Sequence, residues 1–476
     1  MTPLNALKGP ASPGGVSPRF AQLAPIAVAS ALFMDFIDST ALSTALPTLA
    51  HAFHSDPIHL KLCLTSYIMA LAVFTPASGW VADRYGAKRV FLLAMSIFLT
   101  GSIACALSRS LPQLVAARIL QGAGGAMMTP VGRLIVVGSA PRERLVSAMA
   151  AFSMPALVGP MIGPPLAGLV LTFADWPWIF LINLPVGIAG MFAVSAFAPK
   201  LEVPHPGPFD WRGFALSAIA ITTLVAVAET AGLGVLPLGV ALALFAVGSV
   251  SLVAFLRHAR RAEHPILDLG LFRSATFRAS VIGGSFVRLA LGAWPFLTPL
   301  LLQIAMGWSP AKAGLVSMGQ AIGAFSAKPM STRIVRSLGF RTLLIGSAIL
   351  SAAFTALPAL YRRDTPSVLI FFILMVTGFV RSNHFTAVNT VAYAGFSGRD
   401  LSRANTLSAV IQQLSIGFGV SFGALMLHIA RAGEGPLTTD RFVFPFLMIG
   451  MAALLAAPVY VGLKRDAGAD ISSQAV

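Results

Sequence analysis

The chain has 476 residues, 56% of them apolar and only 11% Asp, Glu, Lys or Arg, and its mean hydropathy is +0.82. A soluble domain carries about a quarter charged residues, so this composition excludes a soluble enzyme or binding module and describes a chain that crosses a bilayer many times. The net charge of +16 would suggest nucleic acid in a soluble protein; here the positions of the basic residues assign it to the membrane surface.

Residues 1–20 are polar, rich in Pro and Gly, and carry Lys8 and Arg19. The apolar segment that follows is longer than a signal-peptide core and lacks a cleavage pattern, so a cytoplasmic leader and a retained first span are expected. Polar and Pro/Gly breaks then divide the chain into fourteen apolar segments, near 21–46, 58–78, 90–107, 111–136, 145–172, 178–197, 213–232, 235–256, 279–303, 311–330, 341–360, 366–392, 404–427 and 442–463. Each is long enough to cross as a helix, the form in which a span satisfies its own backbone. The seventh and eighth segments are joined by a very tight turn near Gly234. The expected organisation is a first bundle at 21–198, a linker with two additional spans at 199–278, a second bundle at 279–463 and a tail at 464–476.

Lys and Arg fix the orientation. Placing the N-terminus in the cytoplasm leaves Lys61, Arg109, Lys312, Arg362, Arg363, Arg431 and Arg441 in outer segments and most other basic residues inside. That bias puts both termini in the cytoplasm. The connector 257–278, with Arg257, Arg260, Arg261, Arg273 and Arg278, reads as an anchor near anionic lipid. Trp80, Trp176, Trp178, Trp211 and Trp308 fall at expected interfaces, whereas Trp294 lies within a span. Cys63 and Cys105 read as small core residues, not a disulfide or metal site. Glu229, near the outer end of the seventh span, reads as interfacial.

Several segments share a motif character. The loop after the second span reads Gly79-Trp-Val-Ala-Asp83-Arg84-Tyr-Gly86-Ala-Lys88-Arg89, where small residues permit a tight turn and the charges can clamp helix ends. The fourth span carries Arg118-Ile-Leu-Gln121-Gly122-Ala-Gly124-Gly125, and the fifth Gly159-Pro160-Met-Ile-Gly163-Pro164-Pro165-Leu-Ala-Gly168. The first ends Asp38-Ser-Thr-Ala-Leu-Ser-Thr-Ala-Leu46-Pro47, and the sixth opens Trp176-Pro-Trp178-Ile-Phe-Leu-Ile-Asn183-Leu-Pro185-Val-Gly187.

Together, and in this order, these motifs resemble the major facilitator superfamily, and within it the fourteen-span drug:proton antiporters of the EmrB/QacA type, particularly MdtD-like bacterial members. The resemblance implies an all-α polytopic fold of two six-helix bundles related by a pseudo-twofold axis, with two extra central helices. It implies conformational roles for Gly79, Asp83, Arg84, Gly86 and Arg89, and a flexing seam at Gly159, Pro160, Gly163 and Pro164. The chain departs from the pattern at Pro165 and Pro177, at Gln412 and Gln413 where relatives place a carboxylate, and around Arg333–Arg341, which lacks the counterpart of Asp83.

Charges inside the spans carry the chemistry. Asp35 and Asp38 lie three residues apart on one helical face, and a carboxylate in hydrocarbon costs roughly 3 kcal/mol or more. At about 1.5 Å per residue, Asp38 and Arg118 reach the same depth, with Asp35 one turn deeper. Two carboxylates so close in low dielectric should not both ionise. Asp38 is therefore expected to pair with Arg118 and Asp35 to carry the labile proton; a static ion pair that fixes packing would need only one acid. In the second half, Arg288 lies at mid-depth, with Arg381 and His384 on one face beside Asn383 and Asn389. With Gln121, Trp294 and Gln412, these are the candidate substrate-cavity residues. Lys328 and Arg133 lie near span ends and can snorkel. Surplus guanidinium suits an anionic substrate at least as well as a cationic drug.

The match Gly419-Val-Ser421-Phe-Gly423 to a nucleophile elbow sits mid-span, where that chemistry has no strand-to-helix turn. No metal cluster or phosphate loop appears. The expectation is a monomeric, proton-coupled antiporter in the bacterial inner membrane, exporting small molecules by alternating access, driven by the proton gradient without a cofactor and without nucleic acid. The alternatives are a narrower exporter of organic anions or carboxylate metabolites, and, from other classes, a membrane-embedded enzyme or a non-transporting sensor.

Overall fold

The structure, a computed structural model, describes residues 18–139, 145–199, 207–230, 237–393, 395–396, 398–431 and 435–463. The expected leader, the tail and the turn near Gly234 lie outside these residues. Helices account for the spans: α1 Pro18–Ala52, α2 Lys61–Tyr85, α3 Ala87–Ala106, α4 Leu111–Ser139, α5 Leu145–Ser153, α6 Pro155–Phe173, α7 Trp178–Leu181 and α8 Asn183–Phe197. Next come α9 Trp211–Thr230, α10 Leu238–Ala259, α11 Ala275–Pro299, α12 Pro310–Ala356, α13 Ser367–Tyr393, α14 Gly398–Arg431, α15 Val443–Leu454 and α16 Ala456–Val461. Twelve helical stretches among the described residues are long and apolar enough to cross a membrane. Two more are long enough but less apolar: α4, which carries Arg118 and Arg133, and the part of α12 before Arg333, which carries Lys312 and Lys328. Adding them fits the expected fourteen.

Several boundaries differ from expectation. Helix α1 continues through Pro47 to Ala52, since a proline near the end of a long helix removes only one hydrogen bond. Residues 79–85 are helical, so Gly79, Asp83 and Arg84 belong to the last turns of α2, and the turn itself is Gly86 (φ 89°). The expected connector after residue 330 is likewise helical as far as Gly339 (φ 72°), where α12 breaks. The prolines at 160, 164 and 165 stay inside a continuous α6; the interruption falls at Met154, which keeps helical angles (φ −58°, ψ −43°), just before Pro155, whose missing N–H takes a bond out of the ladder.

Gly86 and Gly339 occupy equivalent places in the two bundles, and each is followed two residues later by a base that clamps a helix end. Lys88 Nζ donates to the carbonyls of Ser195 (2.7 Å) and Ala198 (2.8 Å) at the end of α8. Arg341 Nη2 donates to the Val461 carbonyl (2.8 Å) at the end of α16. Both clamps satisfy last-turn carbonyls with positive charge. Arg84 and Arg89, expected to share this work, are exposed instead.

The bundles meet through pairs related by the pseudo-twofold axis: α2 packs on α14, and α6 on the first part of α12. Glycine sets how closely. A Cβ on Gly168 would lie 2.6 Å from the Pro310 carbonyl, and one on Gly314 2.3 Å from that of Pro164. Helix α1 also meets α11 across the midline. Pro299 lacks the N–H that would bond the Pro295 carbonyl, and Ser43 Oγ donates to that carbonyl instead (2.5 Å). Gln303 Nε2 donates to the Thr44 carbonyl (2.8 Å), and Arg431 pairs with Asp56 beyond the helix ends. These contacts lie at mid-depth or toward the side opposite the termini, so the bundles are clasped on that far side.

On the near side Asp210 caps α9, accepting from Gly213 N (2.8 Å), and binds His258 Nε2 (2.7 Å) and Ile266 N (3.1 Å). Burial works against its charge, but these hydrogen bonds win and hold its carboxyl below the usual aspartate range. Replacing it, Asp210→Ala, is expected to cost about 1 kcal/mol at neutral pH. Because the folded carboxyl is the stronger acid, that difference should persist above about pH 4 and vanish as pH falls below it. Thermal unfolding of both proteins across pH checks the sign.

Candidate functional site

In the first bundle, four helices converge on Asp38, which is fully buried with Arg118, Gln121 and Asn183. Arg118 Nη1 lies 2.5 Å from Asp38 Oδ2, and its Nε donates to the Cys63 carbonyl (3.1 Å). The other carboxylate oxygen accepts from Gln121 Nε2 (2.8 Å) and Asn183 Nδ2 (2.7 Å), both of which also bond Ser102 Oγ. A buried ion pair survives only when its remaining lone pairs and protons are satisfied, and this one is held from α1, α2, α3, α4 and α8.

Tyr67 links the pair to the second acid. Its ring lies 4.2 Å from the Arg118 guanidinium carbon, and its hydroxyl donates to Asp35. The glycines after Gln121 make this possible: a Cβ on Gly125 would meet the Tyr67 hydroxyl at 2.5 Å, and one on Gly122 the Tyr67 carbonyl at 2.7 Å. Asp35 is only half-buried. The two aspartates thus have separate settings, Asp38 sealed and paired, Asp35 half-buried and bonded to the Tyr67 hydroxyl.

In the second bundle Arg288, Arg381 and His384 line one cavity with Gly284, Val287, Leu291, Phe385 and Val388. The cavity is small, about 30 Å³, room for a water or two. Both guanidinium groups are almost fully buried, and among the described residues neither pairs with a carboxylate. Arg288 Nη2 donates to Asn389 (3.2 Å), leaving its Nε without a partner. Arg381 Nη2 donates to Thr355 (2.7 Å), leaving Nε and Nη1 without partners. His384 bonds Ser347 (2.8 Å) and Tyr460 (3.3 Å) through its two ring nitrogens.

Other expected cavity residues stand elsewhere. Gln121 is sealed in the Asp38 cluster. Trp294 stacks on Arg381, 4.4 Å from centroid to guanidinium carbon, with its edge against Phe446. Asn383 spends its amide on Ser331 and the Phe379 carbonyl, and Gln412 is half-buried on α14. Gly159 and Gly163 press α6 on α1, their would-be Cβ atoms 2.7 Å from Phe36 and 2.0 Å from Thr40. Glu229, read as interfacial, is buried at 4% exposure and paired with Lys61 (3.4 Å). Ser421, within the discarded nucleophile match, donates to Glu229. Sequence reasoning missed Tyr67 and Ser102. Asn183 was visible in the sixth-span motif, but only the fold brings it to Asp38.

The family model described as Major Facilitator Superfamily matches residues 28–294. The chain is 37% identical over 443 residues to the "Putative multidrug resistance protein MdtD" of Escherichia coli (strain 55989 / EAEC), covering 91% of this chain and 92% of that one. The protein of the same name from Pectobacterium carotovorum subsp. carotovorum (strain PC1) is 38% identical over 441 residues, covering 91% and 93%. The chain belongs to the major facilitator superfamily. Among solved structures, that of a D-xylose-proton symporter superposes with a TM-score of 0.68 at 14% identity, covering 95% of this chain and 99% of that one. A POT family transporter in complex with a thioalcohol-conjugated peptide gives 0.69 at 15% identity, covering 95% and 97%. These two establish the fold alone.

The Asp38 cluster lies wholly within the first bundle. Asp38→Ala leaves a buried guanidinium unpaired and is expected to destabilise by about 3–5 kcal/mol. Asp35→Asn, which removes no ion pair, should cost under about 1.5 kcal/mol. Comparing the unfolding of the two variants checks this ranking.

Proposed function

We propose that the protein is a proton-coupled antiporter of a bacterial inner membrane that exports a small molecule by alternating access, as a monomer with both termini in the cytoplasm. The observation that carries the coupling is the asymmetry of the two acids. Asp38 is neutralised by Arg118, whereas Asp35 is half-buried, has no ion-pair partner among the described residues and rests against Tyr67, whose ring underlies the same guanidinium. A proton arriving at Asp35 changes the acceptor of the Tyr67 hydroxyl between α1 and α2, next to the seam these helices form with the second bundle. Its departure restores the charge. The export direction follows from the naming of the curated relatives for multidrug resistance.

The second bundle favours one reading of the substrate. Two buried guanidinium groups with unpartnered N–H bonds beside one cavity suit a carboxylate or another organic anion better than a lipophilic cation. The present cavity admits only water, so a substrate enters after the bundle walls part. For such an anion, protonation acts by rearranging the site, since direct charge competition at Asp35 needs a cationic substrate.

Purified protein in proteoliposomes tests both parts. Asp35→Asn is expected to abolish uphill transport and substrate-driven proton movement while leaving downhill exchange; uphill transport at the parent's rate overturns the coupling. Arg381→Ala should weaken a carboxylate substrate on the order of tenfold or more and leave a cationic one unchanged; the reverse pattern overturns the anionic reading.

A further inference from the structure

The helix pair α9–α10 lies outside both bundles, and α10 exposes Leu238, Leu242, Phe245 and Val250. One charge in this pair is nevertheless buried. Glu229, on the last turns of α9, lies between Lys61 at the start of α2 (3.4 Å) and Ser421 on α14, which donates to its carboxylate. Lys61 is 1% exposed and Ser421 5%. The three residues thus join the extra pair to both bundles at once, on the far side, across the α2–α14 seam. Lys61 is the charged group that faces Glu229 from α2. The titratable residues of α14 are Arg399, Asp400, Arg403, His428 and Arg431, about two turns or more from Ser421, and α10 has none before Arg257.

Alternating access requires the far side to open, and opening parts α2 from α14. Glu229 cannot then hold Lys61 and Ser421 together. Lys61, at the mouth of α2, gains far-side water, while the carboxylate on α9 loses the partners that justify its charge in a low-dielectric setting. Protonation from the far-side water resolves the conflict: the oxygen accepts one proton, the ion pair dissolves, and nothing charged remains buried on α9.

We propose that Glu229 is a second proton-binding site, separate from Asp35 and Asp38, and that with Lys61 and Ser421 it forms a latch holding the far side closed until it is protonated. The extra helix pair is then the carrier of a gate. This goes beyond the coupling assigned to Asp35, and it does not depend on that assignment.

Distances between spin labels on Ala52→Cys and Thr438→Cys, at the far ends of the two bundles, in a background with Cys63→Ala and Cys105→Ala, test the latch in lipid nanodiscs. In the parent the long-distance population should grow on the order of tenfold between about pH 8 and about pH 5.5. Glu229→Gln should give the long distance at both pH values, and the exchange Lys61→Glu with Glu229→Lys should restore the short one at the higher pH. A Glu229→Gln protein with the parent's distances and pH response overturns the proposal. If Glu229→Gln does not fold, Ser421→Ala carries the test: it should raise the long-distance population at the higher pH, and parental distances overturn the proposal. The Asp35→Asn protein should keep the pH response. Loss of the response there, with retention in Glu229→Gln, overturns the latch while supporting the role of Asp35.

Discussion

The ion pair between Asp38 and Arg118 is the constraint around which the first bundle is built. Two charges taken out of water on helices α1 and α4 need partners for their own oxygens and N–H groups. Gln121 and Asn183 donate to the carboxylate, Ser102 bonds both amides, and the Cys63 carbonyl accepts from the guanidinium. The glycines of α4 follow from the same demand, because Tyr67 must pass beneath the guanidinium and only a missing Cβ leaves room. The cluster ties α1, α2, α3, α4 and α8 to one another through a single buried charge pair. It also frees Asp35, one turn away, from any structural duty toward Arg118.

The second bundle is built on the opposite principle. Arg288 and Arg381 are buried nearly as deeply as Arg118, yet no carboxylate answers them among the described residues. Stacking on Trp294 and single hydrogen bonds to Thr355 and Asn389 hold them in place. Such incomplete satisfaction is costly in a structural site and useful in a binding site, where the missing partner arrives with the ligand. The two bundles therefore differ, with a paired charge cluster in one and, among the described residues, guanidinium groups without a carboxylate in the other. The far-side clasp of α1 on α11, α2 on α14 and α6 on α12 lies between them.

Much of this was legible in the residues. Depth counting along two helices brought Asp38 and Arg118 to one level, because helical rise is fixed and the membrane forces the spans to stand nearly parallel. Glycine and proline motifs marked the seam at Gly159 to Gly168 for a similar reason, since close approach leaves a compositional trace. Glu229 was misread as interfacial because its depth says nothing about its neighbours. Lys61 is 168 positions away and Ser421 lies 192 positions further on, and no periodicity predicts such a meeting. Gln121 was assigned to the substrate cavity because a polar residue on a span has two fates, facing water or facing a buried charge, and sequence does not distinguish them.

The sequence by itself determined the fold class, the approximate limits of most spans, and the pairing depth of the first-half charges. These are one-dimensional quantities, set by hydropathy, helical rise and the distribution of Lys and Arg. Only the tertiary structure decided which carboxylate is fully buried in an ion pair and which is not, which guanidinium groups lack a carboxylate among the described residues, and which charge on the extra helices is held between the bundles. Those outcomes depend on the rotation of each helix about its axis and on contacts between residues far apart in the chain, neither of which a linear pattern records.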